Sequence, residues 1–70
     1  MSLLIAPKDL PLHVVKVSGD DKTRKHLEDL GITRGALITV IEKTGKSTIV
    51  MIKASRLALD KDISSSILVA

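Results

Sequence analysis

Two histidines are the only side chains of this sequence whose charge ordinarily changes near neutral pH, so acid–base chemistry would have to start from them. The chain contains no cysteine, and nothing near His13 or His26 marks a serine as an activated nucleophile. Its glycines are isolated from one another and do not form a phosphate-binding loop. We therefore predict no catalytic residues and expect a protein that is not an enzyme.

Metal binding is the second chemistry that these side chains could support. His26 and Asp29 are three residues apart, so they share a face of a helix, while His13 lies on a predicted strand. Two imidazoles and nearby carboxylates could form a weak site rich in nitrogen and oxygen. Surface histidines beside solvated charges are the simpler interpretation, because no spacing of three ligands is visible. We predict no metal site and no cofactor, and a divalent transition metal stays open as the alternative.

The composition argues against two classes of binding protein. Phe, Tyr and Trp are all absent. Peptide grooves of the usual SH3 type have aromatic walls, and platforms for single-stranded nucleic acid stack bases on aromatic rings. The 11 basic and 8 acidic residues are mixed along the chain and give a net charge of only +3. We therefore expect a partner that is not a nucleic acid.

The length predicts one domain over residues 1–70. The lack of cysteine suits a reducing compartment, so we expect this domain in the cytoplasm. No apolar run approaches the roughly 20 residues that a membrane span requires. The first ten residues carry a short apolar patch without a basic region before it, so we do not expect a signal peptide.

The elements that must position the charged residues begin with a strand and a helix. Residues 12–18 are rich in β-branched side chains and predict strand one, with Val15 and Val17 inward and Lys16 outward, although Val14 blurs the alternation. Residues 20–30 predict a short helix that an aspartate caps at its start. Its inward stripe, spaced four and three residues apart, is Thr23, Leu27 and Leu30.

Two glycines, four positions apart, follow this helix closely and predict two sharp reversals of the chain. If Gly31 ends the helix in the left-handed conformation, Leu27 and Ile32 form the apolar contact of a Schellman ending. Gly35 occupies the third position of a turn over residues 33–36, where a type II turn needs a positive φ. Together the glycines direct the chain from the helix into strand two.

The rest of the chain predicts four more short strands. We expect them at residues 37–43, 48–53, 56–60 and 67–70, with a hairpin turn at 44–47 and a helical turn at 61–65. Their inward side chains are Ile38, Val40, Val50, Ile52, Leu57, Leu59, Ile67 and Val69. The fold class is mainly β: a small, highly bent barrel of five short strands and one helix, with few exposed strand edges.

With these elements in place, the chain resembles the FeoA domain family. The resemblance covers residues 12–69 and is most specific at residues 27–35 and 55–59. It implies an SH3-like β-barrel with a short helix inserted after strand one, similar to the C-terminal domain of iron-dependent repressors of the diphtheria toxin repressor type. Three positions depart from the family pattern. Arg34 replaces a usual proline, and two usual glycines are missing, before strand one and before residues 57–59.

The resemblance also implies a function. FeoA proteins are small cytosolic accessory proteins of ferrous iron uptake, so the expected activity is to modulate a membrane GTPase iron transporter by contact with its cytosolic domain. The protein would then sit in the cytoplasm, at the inner face of the membrane through its partner. The alternative is a transition-metal-binding regulatory module related to the C-terminal domain of the repressors.

The candidate partner-binding surface has two parts. One is the charged helix face with the glycine turns, and the other is a set of apolar side chains on the outer face of strands two and three, whose exposure would favour a partner. The candidate residues are Arg24, Lys25, Glu28, Gly31, Arg34, Gly35, Leu37, Ile41, Ile49 and Met51. Two alternatives stay open for the apolar set: it packs under the helix or the N-terminal segment, or it joins copies of the chain into a homo-oligomer.

Overall fold

The computed structural model describes all of residues 1–70 as one antiparallel sheet with short helices at its ends. The strands lie in the order β4-β3-β2-β1-β5. The elements are a 3₁₀ turn at Leu3–Ile5, β1 at Pro11–Val17, α1 at Asp21–Asp29, β2 at Leu37–Lys43, β3 at Ser47–Ile52, β4 at Ser55–Asp60, α2 at Lys61–Ser66 and β5 at Ile67–Val69.

The sheet is open, which corrects the expectation of a closed barrel. The outermost strands, β4 and β5, are not hydrogen-bonded to each other. Helix α2 connects them and packs against both strands and against the N-terminal 3₁₀ turn. None of the helices combines the length and the apolar character that a membrane-spanning helix needs.

The core is entirely aliphatic, because the chain has no aromatic residue. It consists of Leu3, Ala6, Leu12, Val14, Leu27, Ile32, Ile38, Val40, Val50, Ile52, Leu59, Ile67 and Val69. The inward positions predicted for β2, β3 and β5 are confirmed, and Leu57 of β4 is half-buried at the edge of this core. The N-terminal segment, residues 1–10, contributes to this core, because Leu3 and Ala6 are fully buried.

Strand β1 differs from its predicted alternation. Val14 pairs with Val69 and Lys16 pairs with Leu68, so Val15 is an extra residue opposite β5, a β-bulge. The bulge resets the alternation: Val14 is 2% exposed and Val15 is 45% exposed. The prediction that Val15 faces inward is therefore wrong. Val15 and Lys16 both lie at the surface, and Val17 turns back toward the core.

Helix α1 begins where the sequence indicated. The side chain of Asp20 accepts a hydrogen bond from the backbone N–H of Thr23 at 2.7 Å, which is an N-cap. That backbone hydrogen bond, which favours the ionised carboxylate, lowers the pKa of Asp20 from its ordinary value. Leu27 is fully buried, whereas Leu30 is 38% exposed, so the inward stripe is narrower than predicted.

The two glycine reversals are confirmed. Gly31 has φ +93°, and its N–H donates to the carbonyl of Glu28 while that of Ile32 donates to Leu27, both at 2.9 Å. This is the Schellman pattern. Gly35 has φ +88° in a turn closed by a 2.9 Å hydrogen bond from Ala36 N–H to the Thr33 carbonyl.

Candidate functional site

A cleft of about 380 Å³ opens between β1, α1 and the segment that joins α1 to β2. It exists because β1 changes partners. Strand β2 pairs with β1 only over Pro11–His13, and the Gly35 turn then binds Val14, whose carbonyl accepts from Gly35 N–H at 2.7 Å. Residues 15–17 therefore have β5 on one side and no strand on the other, and this side faces the cleft.

Charged side chains surround an apolar floor in this cleft. Lys16 from β1, Arg24 from α1 and Arg34 from the turn are cationic, and Glu28 from α1 is the single carboxylate. Val15 supplies exposed apolar surface between them. The cleft therefore carries more positive than negative charge around a strand edge, an arrangement that favours an acidic ligand.

Three of the predicted site residues line the cleft: Arg24, Glu28 and Arg34. Lys25 lines a shallower groove on the outer side of α1, where Arg24 forms an ion pair with Asp21. The glycines do not line the cleft, although their turns shape its rim.

Sequence reasoning missed Val15 and Lys16 as site residues. Strict alternation of inward and outward positions predicted that Val15 would be buried and that Lys16 would be an ordinary solvated charge. The signal for them in the sequence is the adjacent pair Val14-Val15, which interrupts the strict alternation, as the extra residue of a β-bulge does.

The apolar residues of the candidate surface occupy a separate part of the molecule. Leu37 is 52% exposed, and with Met51 it lines a concavity of about 200 Å³ beside Lys53. Ile49 is half-buried on β3, opposite Ala58 of β4. Ile41 is the extra residue of a second bulge, between the β2 positions that pair with Val50 and Ile49. The structure does not join this surface to the charged cleft.

The potential metal ligands are scattered. His13 on β1 and His26 on α1 are exposed on separate elements. No group of three or more His, Cys, Asp or Glu side chains comes together in a way that could hold a metal ion. The side chains present do not fit a tetrahedral transition-metal site with three protein ligands.

Comparisons with known proteins agree on the family. The family model of the FeoA domain matches residues 1–70. The crystal structure of an iron uptake regulatory protein, FeoA, superposes with a TM-score of 0.89 at 26% identity, covering 99% of this chain and 93% of that one. A manganese-dependent transcriptional repressor matches with a TM-score of 0.86 at 16% identity, covering 96% and 39% of the two chains. A search of the curated proteins found no match.

A further neighbour supports the expected architecture. FeoA from Stenotrophomonas maltophilia, solved with zinc, superposes with a TM-score of 0.87 at 22% identity and covers 100% of this chain and 89% of that one. It is described as a prokaryotic SH3 domain protein and a candidate activating factor of ferrous iron transport. The SH3-like fold expected from the sequence is thereby confirmed, with the sheet left open. Because the family model matches the full length of the chain, this protein belongs to the FeoA domain family.

Proposed function

We propose that this protein is a non-enzymatic accessory factor of ferrous iron uptake that binds the cytosolic domain of a membrane GTPase iron transporter. Family membership and the role described for the S. maltophilia neighbour support the process. The observation that carries the binding role is the cleft, where residues 15–17 of β1, which pair with β5 on one side only, meet three cationic side chains. By this proposal the protein works in the cytoplasm, at the inner face of the membrane through its partner.

The cleft suits an extended acidic segment of the partner. The backbone of residues 15–17 offers a strand edge, and a peptide can add to such an edge through main-chain hydrogen bonds. Lys16, Arg24 and Arg34 would then select carboxylates at alternate positions of the segment. Glu28 would disfavour the closest approach of a further carboxylate, which gives the site a register.

Binding alone does not change the activity of a transporter, so the protein must bind one conformation of its partner more tightly than another. We propose that the module binds one conformation of the cytosolic domain more tightly than another and shifts the population toward it. The size of the shift is limited by the ratio of the two affinities. A rise or a fall in GTP hydrolysis would show which conformation is preferred.

The neighbours give two reasons to consider a metal: the zinc-bound S. maltophilia protein and the manganese-dependent repressor. The exposed, separated histidines of this chain do not form a corresponding cluster. We therefore derive no step of the function through a metal. Titration with Fe(II) or Mn(II) without oxygen tests the regulatory alternative, because stoichiometric micromolar binding would favour it.

The direct test is to titrate the protein into the purified cytosolic domain of the transporter and to measure the heat of binding by calorimetry. We expect binding of the unmodified protein and at least a tenfold loss for the charge reversal Lys16→Glu with Arg34→Glu, because both replaced cations line the cleft. Lys43→Glu with Lys46→Glu, at the exposed hairpin between β2 and β3, makes the same change of charge away from the cleft, so it is the matched control and should bind within about twofold of the original.

Two results would count against the proposal in different ways. No interaction of the unmodified protein at high micromolar concentration would remove the transporter as partner. Equal binding by the cleft variant and the control would keep the partner but place its contact elsewhere, and the apolar surface around Leu37 and Met51 would be the next region to test.

A further inference from the structure

Strand β4 leaves one edge of the sheet without a partner. It pairs with β3 alone, and the two strands are joined by a two-residue loop closed by the pair Ile52 and Ser55. Because hydrogen-bonded pairs alternate along an antiparallel ladder, Leu57 and Leu59 direct their backbone groups to β3. Arg56 and Ala58 direct theirs to the open edge, and neither residue takes part in a backbone hydrogen bond outside the strand ladders.

When two copies of β4 lie antiparallel, their sequences bring residues of opposite charge together. An antiparallel pair of β4 strands centred on Ala58 places Arg56 against Asp60 of the second copy, and the same ion pair recurs on the other side of the two-fold axis. On the opposite face Leu57 lies across from Leu59 of the second copy, but the Leu59 side chain is only 4% exposed because it packs in its own core. The charged positions are therefore the ones that favour this register.

The exposure of these side chains fits that register. Arg56, Ala58 and Asp60 are all exposed, and Leu57 is only half-buried. Asp60 caps α2, and its Oδ1 accepts from Ile63 N–H at 2.8 Å, which leaves its second carboxylate oxygen for an arginine. Charged residues on an edge strand ordinarily prevent pairing between chains, but here each charge would meet its opposite.

We infer that two copies of this chain associate through β4, forming a two-fold dimer with one continuous ten-stranded sheet. The central Ala58 residues would exchange two backbone hydrogen bonds, and each Arg56–Asp60 pair would set the register from the outer face. The strand order separates β4 from β1, so the charged clefts stay free. The dimer would then present two clefts, which raises the avidity for a partner that holds two acidic segments.

The first test is the solution mass at increasing protein concentration, by sedimentation equilibrium. A monomer has a mass of 7.5 kDa, and we expect the unmodified protein to approach twice that value by about 1 mM, because edge pairing alone gives a modest affinity. Ala58→Pro removes an N–H that faces the open edge and none that faces β3, so the variant should fold and stay monomeric. Ala58→Ser keeps that N–H and should still dimerise.

The second test uses the ion pairs. Arg56→Glu alone should weaken dimerisation at least tenfold, because it places a carboxylate against Asp60 of the second copy, and Asp60→Lys alone should weaken it similarly. An equal mixture of these two variants restores an opposite charge at both contacts, so it should form a mixed dimer. Circular dichroism of each variant confirms that it is folded.

A monomeric unmodified protein at about 1 mM would overturn this inference. Unchanged dimerisation of Ala58→Pro, or no preference of the mixture for the mixed dimer, would also overturn it, because association would then not use this edge in this register. None of these outcomes bears on whether the cleft binds a transporter.

Discussion

Alanine substitutions at two glycines separate the backbone role of each turn from its packing. Gly31 and Gly35 have nearly the same φ, +93° and +88°, so an alanine at either position pays the same penalty for a left-handed conformation. Their surroundings differ. A Cβ at Gly31 would lie 3.3 Å from Cγ2 of Ile52, whereas a Cβ at Gly35 would meet nothing within 4 Å. The difference between the two variants therefore measures the contact with the core.

The expected sizes follow from these two contributions. Gly35→Ala should lower the free energy of unfolding by about 1–2 kcal/mol, the cost of the left-handed backbone for a residue with a side chain. Gly31→Ala adds the displacement of Ile52, which is 2% exposed and packed in the core. Overpacking of this kind costs roughly 1–3 kcal/mol, so the total for Gly31→Ala should be about 2–5 kcal/mol. In a domain of this size, 1 kcal/mol lowers the midpoint of thermal unfolding by about 4–8 °C.

Far-ultraviolet circular dichroism is the suitable assay, because a chain without Trp or Tyr has no useful intrinsic fluorescence. Thermal and urea unfolding of both variants would be compared with Gly45→Ala as the control. A Cβ at Gly45 meets nothing within 4 Å and its φ is not positive, so that change should be neutral or slightly stabilising. If Gly31→Ala is no more destabilising than Gly35→Ala, the close approach of the helix end to β3 is refuted.

Three further predictions concern single residues. Because the pKa of Asp20 is lowered in the fold, its cap stabilises α1 fully above the ordinary pKa of aspartate, and this stabilisation is lost as the pH falls through the folded pKa. Circular dichroism should therefore show the helix signal falling in that acidic window. The signal should fall less in Asp20→Ser, because a serine cap does not titrate. Lys53 has φ +55°, so Lys53→Gly should relieve the cost of a left-handed backbone. The entropic cost of glycine offsets part of this gain, so urea titrations should show the free energy of unfolding raised by roughly 0.5 kcal/mol. Arg34→Pro should stabilise the turn by about 0.4–1 kcal/mol, since proline suits the second position of a type II turn, while it weakens binding of the transporter domain. A loss of both stability and binding would contradict the assignment of Arg34 to the turn.

The sequence predicted those parts of the fold that depend on neighbouring residues. Leu27, Gly31 and Ile32 lie within one helix ending, so their spacing was enough to predict the Schellman contact, and the hydrogen bond from Ile32 to Leu27 confirms it. The bounds of β2 were predicted to the residue for the same reason, because a glycine turn precedes the strand and a Thr-Gly turn follows it.

Features set by distant pairing were not predicted. The bulge at Val15 depends on the register between β1 and β5, which are about fifty positions apart in the chain, and local alternation gives no access to that register. The burial of Leu3 has the same origin: Met1 and Val69 exchange hydrogen bonds that fix the N-terminal segment against β5. The cleft was not predicted either, because it is formed by three separate elements.

Arg34 belongs both to the turn that joins α1 to β2 and to the lining of the charged cleft. The resemblance to the FeoA domain family implies a proline at this position, which would preset the turn. In this chain the turn still forms, because Gly35 carries the positive φ and the hydrogen bond from Ala36 to Thr33 closes it. Proline is therefore dispensable here, and the position becomes free to hold a cation. The turn conformation then directs that cation into the cleft beside Lys16 and Arg24, so the substitution exchanges some turn rigidity for a stronger positive field.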